Sequence, residues 1–364
     1  MKLPVRIILI ALCAVIIAGM PFFISSPSLL HEAAEEWQDN GDGDDEGIAL
    51  DFGKIFLSSA AAEEEFFFES SEMDMNDDPS RLTVPDAWAL PWDFSVPPVP
   101  DPDRFTENGY EDQSIRVRIE TIEKFGATVH VAHVEIAHAS QLRTATRDGV
   151  KSIRTDHLDK IAATNNAVIA MNGDLFVEVP EKKRFEVRMT QVVTYSYKRN
   201  RTSKVKDTLI IDKNGDFHLF IQSQGLESYV KENGGEIVNA FTFGPALVID
   251  GEILSLKREY EWNPKGHEPR SAIGQTGPLS YVMVIVEGKG SERGVSHAEL
   301  AEIMLELGCK QAFNLDGGNT AEMILIGSDA ENPLMHLKGN KVANLRSHSD
   351  IIYFATAVPE EERQ

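Results

Sequence analysis

The alternation of apolar and polar positions predicts a β-rich fold over the C-terminal two-thirds of the chain. Residues 115–120 and 128–136 alternate β-branched and polar side chains, a pattern typical of strands. Residues 167–171 and 351–355 are short apolar runs, which predict buried strands. Residues 312–315 predict a further strand, which ends in Asp316-Gly317-Gly318.

Two glycine-containing pairs predict tight turns between strands. Residues 208–221 indicate a hairpin that turns at Asn214-Gly215, the pair favoured in type I′ turns. Asp250-Gly251 predicts a second tight turn.

One segment carries clear helix signals. Residues 296–307 place apolar side chains on one helical face, Ser296 and Glu299 match a capping box, and Gly308 is a stop signal. A shorter helix is predicted over residues 155–162. Many strands and few helices predict an α+β fold, in which a single domain has a mixed β-sheet core with a few helices.

The N-terminus has the pattern of a targeting or anchoring segment. Lys2 and Arg6 precede an apolar run over residues 7–24. We interpret residues 1–26 as a signal-anchor or a signal peptide, with the anchor favoured over a buried core helix. This predicts a single-pass protein of the cell membrane with its folded part outside the cytoplasm, or a secreted protein if the segment is cleaved.

Charge separates a leader from the folded part. The 364-residue chain has a formal net charge of −23, and 22 acidic but only three basic residues lie between Pro27 and Tyr110. Because like charges and prolines oppose a compact core, residues 27–110 are predicted to form a disordered acidic stalk before a domain over 111–358. The negative charge gives no attraction to a nucleic-acid backbone, so no nucleic-acid partner is expected.

Four short segments combine strand ends, glycines and polar side chains. Glycines after a buried strand let the backbone approach a ligand and leave N–H groups to bind an anion, and a neighbouring carboxylate adds reactive chemistry. Each segment alone also fits an ordinary turn. They are 172–176 (NGDLF), 243–248 (FGPALV), 268–274 (EPRSAIG) and 314–320 (NLDGGNT).

The ordered set of segments resembles the phosphodiester glycosidase family. That family has an Asn-Gly-Gly/Asp-x-Phe segment, then Gly-Pro-x-Leu-Val, Pro-Arg-Thr/Ser-Ala-Ile-Gly, an Arg-Gly loop before a helix, and Asn-Leu-Asp-Gly-Gly-Gly-Ser. The loop is matched here by Glu292-Arg293-Gly294, and the resemblance extends over about residues 111–355. Asn319 and Thr320 depart from the family's Gly and Ser.

The resemblance implies cleavage of a sugar-1-phosphodiester, like a GlcNAc-1-phosphodiester, at the anomeric carbon. Together with the N-terminal segment, it predicts an extracytoplasmic hydrolase acting on a cell-surface polysaccharide or glycoconjugate. The catalytic candidates are Asp316 beside the anomeric carbon, Asp174 as the carboxylate that activates water, and Arg270 as the phosphate-binding cation. Which aspartate takes which role stays open. The substrate-binding candidates are Asn172, Gly173, Gly244, Asn314, Gly317, Gly318, Asn319, Thr320, Arg293 and Arg346, with the N–H groups of Gly317 and Gly318 expected to assist at the phosphate.

No cofactor is expected, and the need for a metal is left open. Asp174 and Asp316 could hold a divalent cation, but no ligand spacing in the sequence requires one. Two alternatives keep the fold without the reaction: a module that binds phosphoglycans without cleaving them, and a structural protein of the cell envelope.

Overall fold

The computed structural model describes residues 81–93, 95–148, 154–174, 177–179, 184–186, 190–191, 207–254, 265–289, 292–327, 333–342, 344 and 346–363. For residues 175–191 and for 292, it describes at most the backbone. The predicted signal-anchor over residues 1–26 and the part of the predicted stalk before Arg81 lie outside the described residues. Within the described part of the chain, no helix is both long enough and apolar enough to cross a membrane.

Strands make up most of the regular structure. They are β1 Phe105–Thr106, β2 Gly109–Glu111, β3 Ile115–Lys124, β4 Ala127–Ile136, β5 Leu142–Ala145, β6 Ile169–Asn172, β7 Val177–Val179, β8 Arg184–Glu186, β9 Thr190–Gln191, β10 Thr208–Asp212, β11 Phe217–Phe220, β12 Ile237–Phe241, β13 Ala246–Ile249, β14 Glu252–Ile253, β15 Arg270–Gly277, β16 Ser280–Val286, β17 Gly288–Lys289, β18 Glu292–Arg293, β19 Gln311–Leu315, β20 Glu322–Leu325, β21 Met335–Lys338 and β22 Ile351–Phe354.

The described residues also form three α-helices and several short 3₁₀ turns. The α-helices are α1 Leu158–Thr164, α2 Leu226–Asn233 and α3 His297–Glu306. The 3₁₀ turns are Asp86–Trp88, Pro102–Arg104, Ala139–Gln141, Ile221–Ser223, Gly318–Thr320 and Glu360–Glu362. The fold is therefore mostly β-sheet with three helices.

Two large sheets form the centre of the molecule. The nine-stranded sheet has the order β1-β2-β3-β4-β16-β15-β19-β13-β14, and the five-stranded sheet has the order β21-β20-β6-β22-β5. A four-stranded sheet, β11-β10-β12-β9, and the two-stranded pairs β17-β18 and β7-β8 complete the described strands.

The main core lies between the two large sheets. Its buried cluster includes Val134 and Met283 from the nine-stranded sheet and Met171 and Ile352 from the five-stranded sheet. Because side chains alternate along a strand, the next residue, Val284, points to the opposite face. The two sheets therefore pack face to face, and their outer faces need separate cover.

Helices cover both outer faces. Leu300 and Ile303 of α3 belong to one buried cluster with Val284, on the outer side of the nine-stranded sheet. Leu158 and Ile161 of α1 cluster with residues of the five-stranded sheet. Each helix thus contributes its apolar side to a sheet.

The predicted helix at 296–307 is confirmed together with its caps. Ser296 Oγ accepts the N–H of Glu299 at 3.3 Å, and Glu299 Oε2 accepts the N–H of Ser296 at 2.8 Å. At the other end, Gly308 has φ 82° and donates to Leu305 O at 2.9 Å, while Cys309 donates to Met304 O at 3.1 Å. These two bonds form a Schellman motif, which needs glycine at this position.

The predicted mixed sheet is wrong. Every pair between described strands is antiparallel. Local patterns predict where strands lie, but the direction of pairing depends on which distant strands become neighbours. Here β16 lies beside β4 and β15 lies beside β19, and neither neighbour is visible in a short sequence window.

The predicted domain start at 111 is too late. Leu90 and Tyr110 are 8% and 1% exposed, and the Leu90 N–H donates to Ser140 Oγ at 2.9 Å. Arg143 donates from Nη1 to Pro91 O at 3.0 Å and from Nη2 to Asp93 O at 2.7 Å. The disordered stalk is therefore wrong for the described residues after 80, because their apolar side chains and carbonyls find partners in the domain.

The two glycine turns differ in type. Asp250 and Gly251 both have positive φ, 52° and 79°, as a type I′ turn between β13 and β14 requires. Between β10 and β11, Gly215 has φ 83° but Asn214 is not left-handed, so a type I′ turn is wrong there. Asp212 Oδ1 instead accepts the N–H groups of Asn214 and Asp216, which stabilises a longer loop.

Candidate active site

Several strands of the two large sheets end close together, and we call this line of strand ends the common edge of the sheets. Arg270 begins β15 and pairs with Val286 at the end of β16, while Leu315 at the end of β19 pairs with Ser271. In the five-stranded sheet, Asn172 at the end of β6 pairs with Ile351 at the start of β22. The antiparallel order thus brings segments that are distant in sequence to a common edge.

Asn172 joins the two sheets at this edge. Its Nδ2 donates to Asp316 O at 2.7 Å and to Ser271 Oγ at 3.1 Å, and its Oδ1 accepts the N–H of Glu322 at 3.2 Å. Ser271 Oγ also donates to Asp316 O at 2.7 Å. Both amide hydrogens of this buried side chain are used within the protein, which supports a role in holding the site together rather than in contacting sugar hydroxyls.

Asp174 lies two residues after Asn172, and its backbone is bound by Asp350, a residue that the sequence did not indicate. The Asp174 N–H donates to Asp350 Oδ2 at 3.0 Å, and Asp174 Oδ2 accepts the N–H of Thr242 at 3.1 Å. A Cβ on Gly173 would lie 2.1 Å from Asp350 Oδ2, so only glycine allows this approach. Burial raises the pKa of Asp350 to about 6, against hydrogen bonds from Ser349 and Asp174 that lower it.

Gly244 and Asn314 bind each other across β13 and β19. Asn314 Nδ2 donates to Gly244 O at 2.8 Å, and the Gly244 N–H donates to Asn314 O at 3.2 Å. Gly244 has φ 79° and precedes a cis peptide bond to Pro245. Asp207, which is fully buried, accepts the N–H of Ala246 at 2.9 Å and fixes this turn from the other side.

The Asp316–Thr320 turn packs against the 268–274 segment. A Cβ on Gly317 would lie 2.7 Å from Pro269 O, and the Gly318 N–H donates to that oxygen at 2.9 Å. The expectation of a free Gly318 N–H for phosphate is therefore wrong, because this strand-end carbonyl already accepts it. Asp316 itself is buried, with 7% of its surface exposed.

The end of that turn contacts the segment before β22. Asn319 is exposed, and its Oδ1 accepts from Asn340 Nδ2 at 2.6 Å. Thr320 is buried, and Arg346 Nη1 lies 3.5 Å from its Oγ1. Asn319, Thr320 and Arg346 thus lie together beside Asp316.

Arg270 is buried, and its guanidinium is bound on three nitrogens. Nε donates to Val295 O at 3.1 Å, Nη1 contacts His297 Nε2 at 3.0 Å, and Nη2 donates to Gly266 O at 2.9 Å. Burial lowers the pKa of Arg270 to about 10, and burial together with the Arg270 charge lowers the pKa of His297 to about 3. His297 is therefore neutral and can accept from the guanidinium, an arrangement that supports an anchoring role for Arg270.

The described contacts of Arg293 include the start of α3 and Phe125, but neither Asp174 nor Asp316. It is exposed, and it donates to Glu299 Oε1 at 2.8 Å and to Phe125 O at 2.8 Å. Because Glu299 also caps α3, these bonds tie Arg293 to the start of that helix. Like those of Arg270, the described side-chain partners of Arg293 do not include the surroundings of Asp174 and Asp316.

Glu322 and two histidines form a further buried cluster that sequence reasoning missed. Glu322 Oε2 lies 3.3 Å from His336 Nε2 and 3.4 Å from His348 Nε2. Burial works against the charged form, but the two histidines outweigh it and lower the pKa of Glu322. The cluster adjoins the site, since Glu322 donates its N–H to Asn172.

Among the described residues, no group of three or more His, Cys, Asp or Glu side chains is arranged to hold a metal ion. A cleft of about 380 Å³ is lined by Arg104, Asp112, Arg363 and neighbouring residues of the N- and C-terminal segments, and it contains none of the predicted site residues.

The two stacked antiparallel sheets thus carry two buried carboxylates, Asp174 and Asp316, beside strand ends that Asn172 joins. This chain belongs to the phosphodiester glycosidase family, whose model matches residues 165–354, just over half of the sequence. The resemblance first drawn from the ordered motifs is confirmed.

Individual relatives match over shorter segments. The bovine and human N-acetylglucosamine-1-phosphodiester alpha-N-acetylglucosaminidases are each 35% identical over 71 residues, which is 20% of this chain and 14% of the relative. An uncharacterized SPbeta prophage-derived protein of Bacillus subtilis strain 168 is 30% identical over 95 residues, which is 26% of this chain and 15% of that protein. The matches thus cover only a small part of each relative.

A solved structure shares the fold. The catalytic domain of the zebrafish N-acetylglucosamine-1-phosphodiester alpha-N-acetylglucosaminidase, auto-inhibited by its pro-peptide, superposes with a TM-score of 0.50 at 16% identity. The match covers 66% of this chain and 83% of that chain. At this identity the likeness concerns the fold alone.

Proposed function

We propose that this protein hydrolyses the bond between the anomeric carbon of a sugar and a phosphodiester, in linkages like N-acetylglucosamine-1-phosphodiester. The observation that supports this most is the bond from Asn172 Nδ2 to Asp316 O at 2.7 Å. It ties the segment that carries Asp174 to the turn that carries Asp316, so that two carboxylates from different sheets belong to one edge. Paired carboxylates around a scissile sugar bond are the usual requirement of glycoside hydrolysis.

The reaction needs little help at the leaving group, because a phosphodiester oxygen leaves readily as an anion. Water adds to the anomeric carbon, the bond between that carbon and the phosphate oxygen breaks, and its electron pair leaves with the phosphate. Asp316 either stabilises the positive charge on the anomeric carbon while water attacks, or first displaces the phosphate to form a glycosyl ester that water then hydrolyses. In both cases Asp174 accepts the proton from water. The products are a free sugar and a phosphomonoester.

The surrounding residues serve mainly to hold these two carboxylates. Asp350 fixes the backbone of Asp174, and Thr242 binds its side chain. Asn319, Thr320 and Arg346 border the turn of Asp316 and are proposed to contact the substrate. Phosphate binding by Arg270 stays a prediction, since its three protein acceptors account well for its burial.

We propose that the reaction takes place outside the cytoplasm, on a cell-surface polysaccharide or glycoconjugate. The support is the basic and then apolar pattern of residues 1–26, which fits a signal-anchor. A fusion of residues 1–26 to a reporter would test the orientation, and a reporter retained in the cytoplasm would contradict this location.

The activity is tested on the full chain with UDP-N-acetylglucosamine and simple N-acetylglucosamine-1-phosphodiesters. We expect sugar release by the wild type and a loss of at least about a hundredfold in Asp316→Asn and in Asp174→Asn. Both substitutions keep the shape of the side chain and remove its charge. The exposed Asp103→Asn is the control and should keep full activity.

Arg270→Ala serves as a contrast. Because three hydrogen bonds of a buried guanidinium are lost, this variant should unfold at a lower temperature, which the two aspartate variants should not. Folded wild type that binds the diesters without releasing sugar would instead indicate a phosphoglycan-binding module. A folded wild type that shows no binding of these diesters and no turnover would contradict the proposed substrate class.

A further inference from the structure

The negative charge that develops on a departing phosphomonoester is stabilised by a cation that faces the substrate. Arg270 is 5% exposed, and its guanidinium donates to Val295 O, to His297 and to Gly266 O. Lys341 provides an accessible cation near the same strand ends, since it contacts Glu287, which follows β16.

Lys341 is fixed by a buried carboxylate. Its Nζ lies 2.6 Å from Glu287 Oε1, and the side chains are 63% and 1% exposed, respectively. An ammonium group has three donors, so one bond to Glu287 leaves two for a ligand. The ion pair thus limits the motion of an otherwise flexible side chain and keeps it open to solvent.

A buried histidine contacts the Glu287 carboxylate. Glu287 follows the last residue of β16, and its Oε1 lies 2.6 Å from His130 Nε2. His130 Nδ1 in turn lies 2.9 Å from Thr121 Oγ1 on β3. This chain of contacts fixes the plane of the carboxylate.

The second oxygen of Glu287 has no such support. Glu287 Oε2 is buried, and among the described residues no hydrogen-bond donor reaches it. Buried carboxylate oxygens in native proteins almost always have a donor, so an atom in this state indicates a place for one supplied from outside. A sugar hydroxyl is a donor of the right kind.

The Lys341 segment lies beside the turn of Asp316. The Gly339 N–H donates to Ala321 O at 2.8 Å, and Asn340 Nδ2 donates to Asn319 Oδ1 at 2.6 Å. The Gly288 N–H, next to Glu287, donates to Gly339 O at 2.8 Å. Glu287 and Lys341 therefore adjoin the proposed catalytic turn.

We propose that Lys341 and Glu287 form a recognition pair for a sugar phosphate. The Lys341 ammonium binds a phosphate oxygen, Glu287 Oε2 accepts a hydrogen bond from a sugar hydroxyl, and His130 is a positioning residue for Glu287. This inference deepens the proposed function and rests on it, and it adds a binding role for two residues outside the Asp174 and Asp316 pair.

The test separates phosphate from sugar in the full-length protein. Inorganic phosphate and free N-acetylglucosamine are titrated separately, and KM and kcat are measured with an N-acetylglucosamine-1-phosphodiester. Lys341→Met should weaken phosphate binding and raise KM by at least about tenfold, with sugar binding and kcat nearly unchanged. Lys341→Arg should restore most of the phosphate binding, and Glu287→Gln should weaken sugar binding by a similar factor.

Two matched controls use ion pairs of the same kind. Lys213→Met removes a lysine that lies 3.7 Å from Glu236, at the β10–β11 loop, and should change neither titration. His133→Gln removes a histidine of the same strand as His130, in contact with Glu120 at 2.8 Å, and should leave KM unchanged, while His130→Gln should raise it.

The outcomes distinguish this inference from the proposed function. Wild-type turnover with an unchanged KM in Lys341→Met and Glu287→Gln would overturn the recognition pair and leave the reaction standing. No wild-type turnover would remove the proposed reaction, and phosphate binding that is lost in Lys341→Met would still support the phosphate half of the pair. If Glu287→Gln does not fold, the comparison of Lys341→Met with Lys341→Arg decides.

Discussion

Because Gly173 has no side chain, the carboxylate of Asp350 can lie directly against its backbone. The space that a Cβ on Gly173 would fill holds Asp350 Oδ2, which accepts the N–H of Asp174. The motif around Gly173 was visible in the sequence because glycine and a carboxylate follow an apolar run. Asp350 was not, since a single aspartate before a strand has many ordinary uses and its partner is 176 residues away.

At the residue scale, Asp350→Asn should change how stability depends on pH. The pKa of Asp350 is raised from 3.8 to about 6, so the folded state holds a proton that the unfolded state loses between these values. The wild type therefore loses stability as pH rises from about 4 to about 6, by at most about 3 kcal/mol. Urea unfolding at pH 4.5 and pH 7 should show a smaller difference in the variant.

The exposed Asp103→Asn is the control for this measurement and should keep the wild-type pH dependence. Parallel curves for Asp350→Asn and wild type would mean that Asp350 titrates normally in the folded protein. Glu322 acts in the opposite sense, because its lowered pKa gives stability that is lost as pH falls below its ordinary range.

At the scale of elements, the sequence predicted the helix ends and turns that depend on neighbouring residues in the chain. The capping box and the glycine stop of α3 are recorded in the sequence, and so are the hairpin glycines Gly215 and Gly251. The direction of the sheets and the type of turn at Asn214 were not, because they depend on neighbouring strands and on the side chain of Asp212.

Ser296→Ala should destabilise α3 measurably. Ser296 Oγ accepts the N–H of Glu299, and the loss of an N-cap side chain costs about 1 kcal/mol. Denaturant unfolding should show this shift, and Ser296→Asp, which can also cap, should show little of it. An unchanged midpoint in Ser296→Ala would mean that the capping box does not hold this helix.

At the scale of the whole molecule, the domain is larger than its composition indicates. Acidic residues and prolines predicted a stalk as far as Tyr110, yet Leu90 and Tyr110 are buried and Arg143 donates to Pro91 O and Asp93 O. Composition averages over a segment, and a few well-placed apolar side chains are enough to bind it to a sheet.

Truncation tests this extent directly. A chain that begins at Arg81 should keep the melting temperature of the full chain, since none of the described contacts is removed. A chain that begins at Glu111 should lose several kcal/mol, because burying each of Leu90 and Tyr110 contributes about 1.5–3 kcal/mol and Arg143 loses its acceptors. Equal melting temperatures for the two truncations would show that the segment adds nothing to stability.

β22 completes the five-stranded sheet after all the other strands of that sheet have been made. This strand lies between β5 and β6, although those two are made more than 170 residues earlier on the ribosome. The five-stranded sheet therefore has a gap in its middle until residue 354 has emerged, and Asp350 arrives only with the strand that fills the gap. Because synthesis runs from the N-terminus, Asp174 lacks the Asp350 carboxylate that binds its N–H until the segment of β22 has been made.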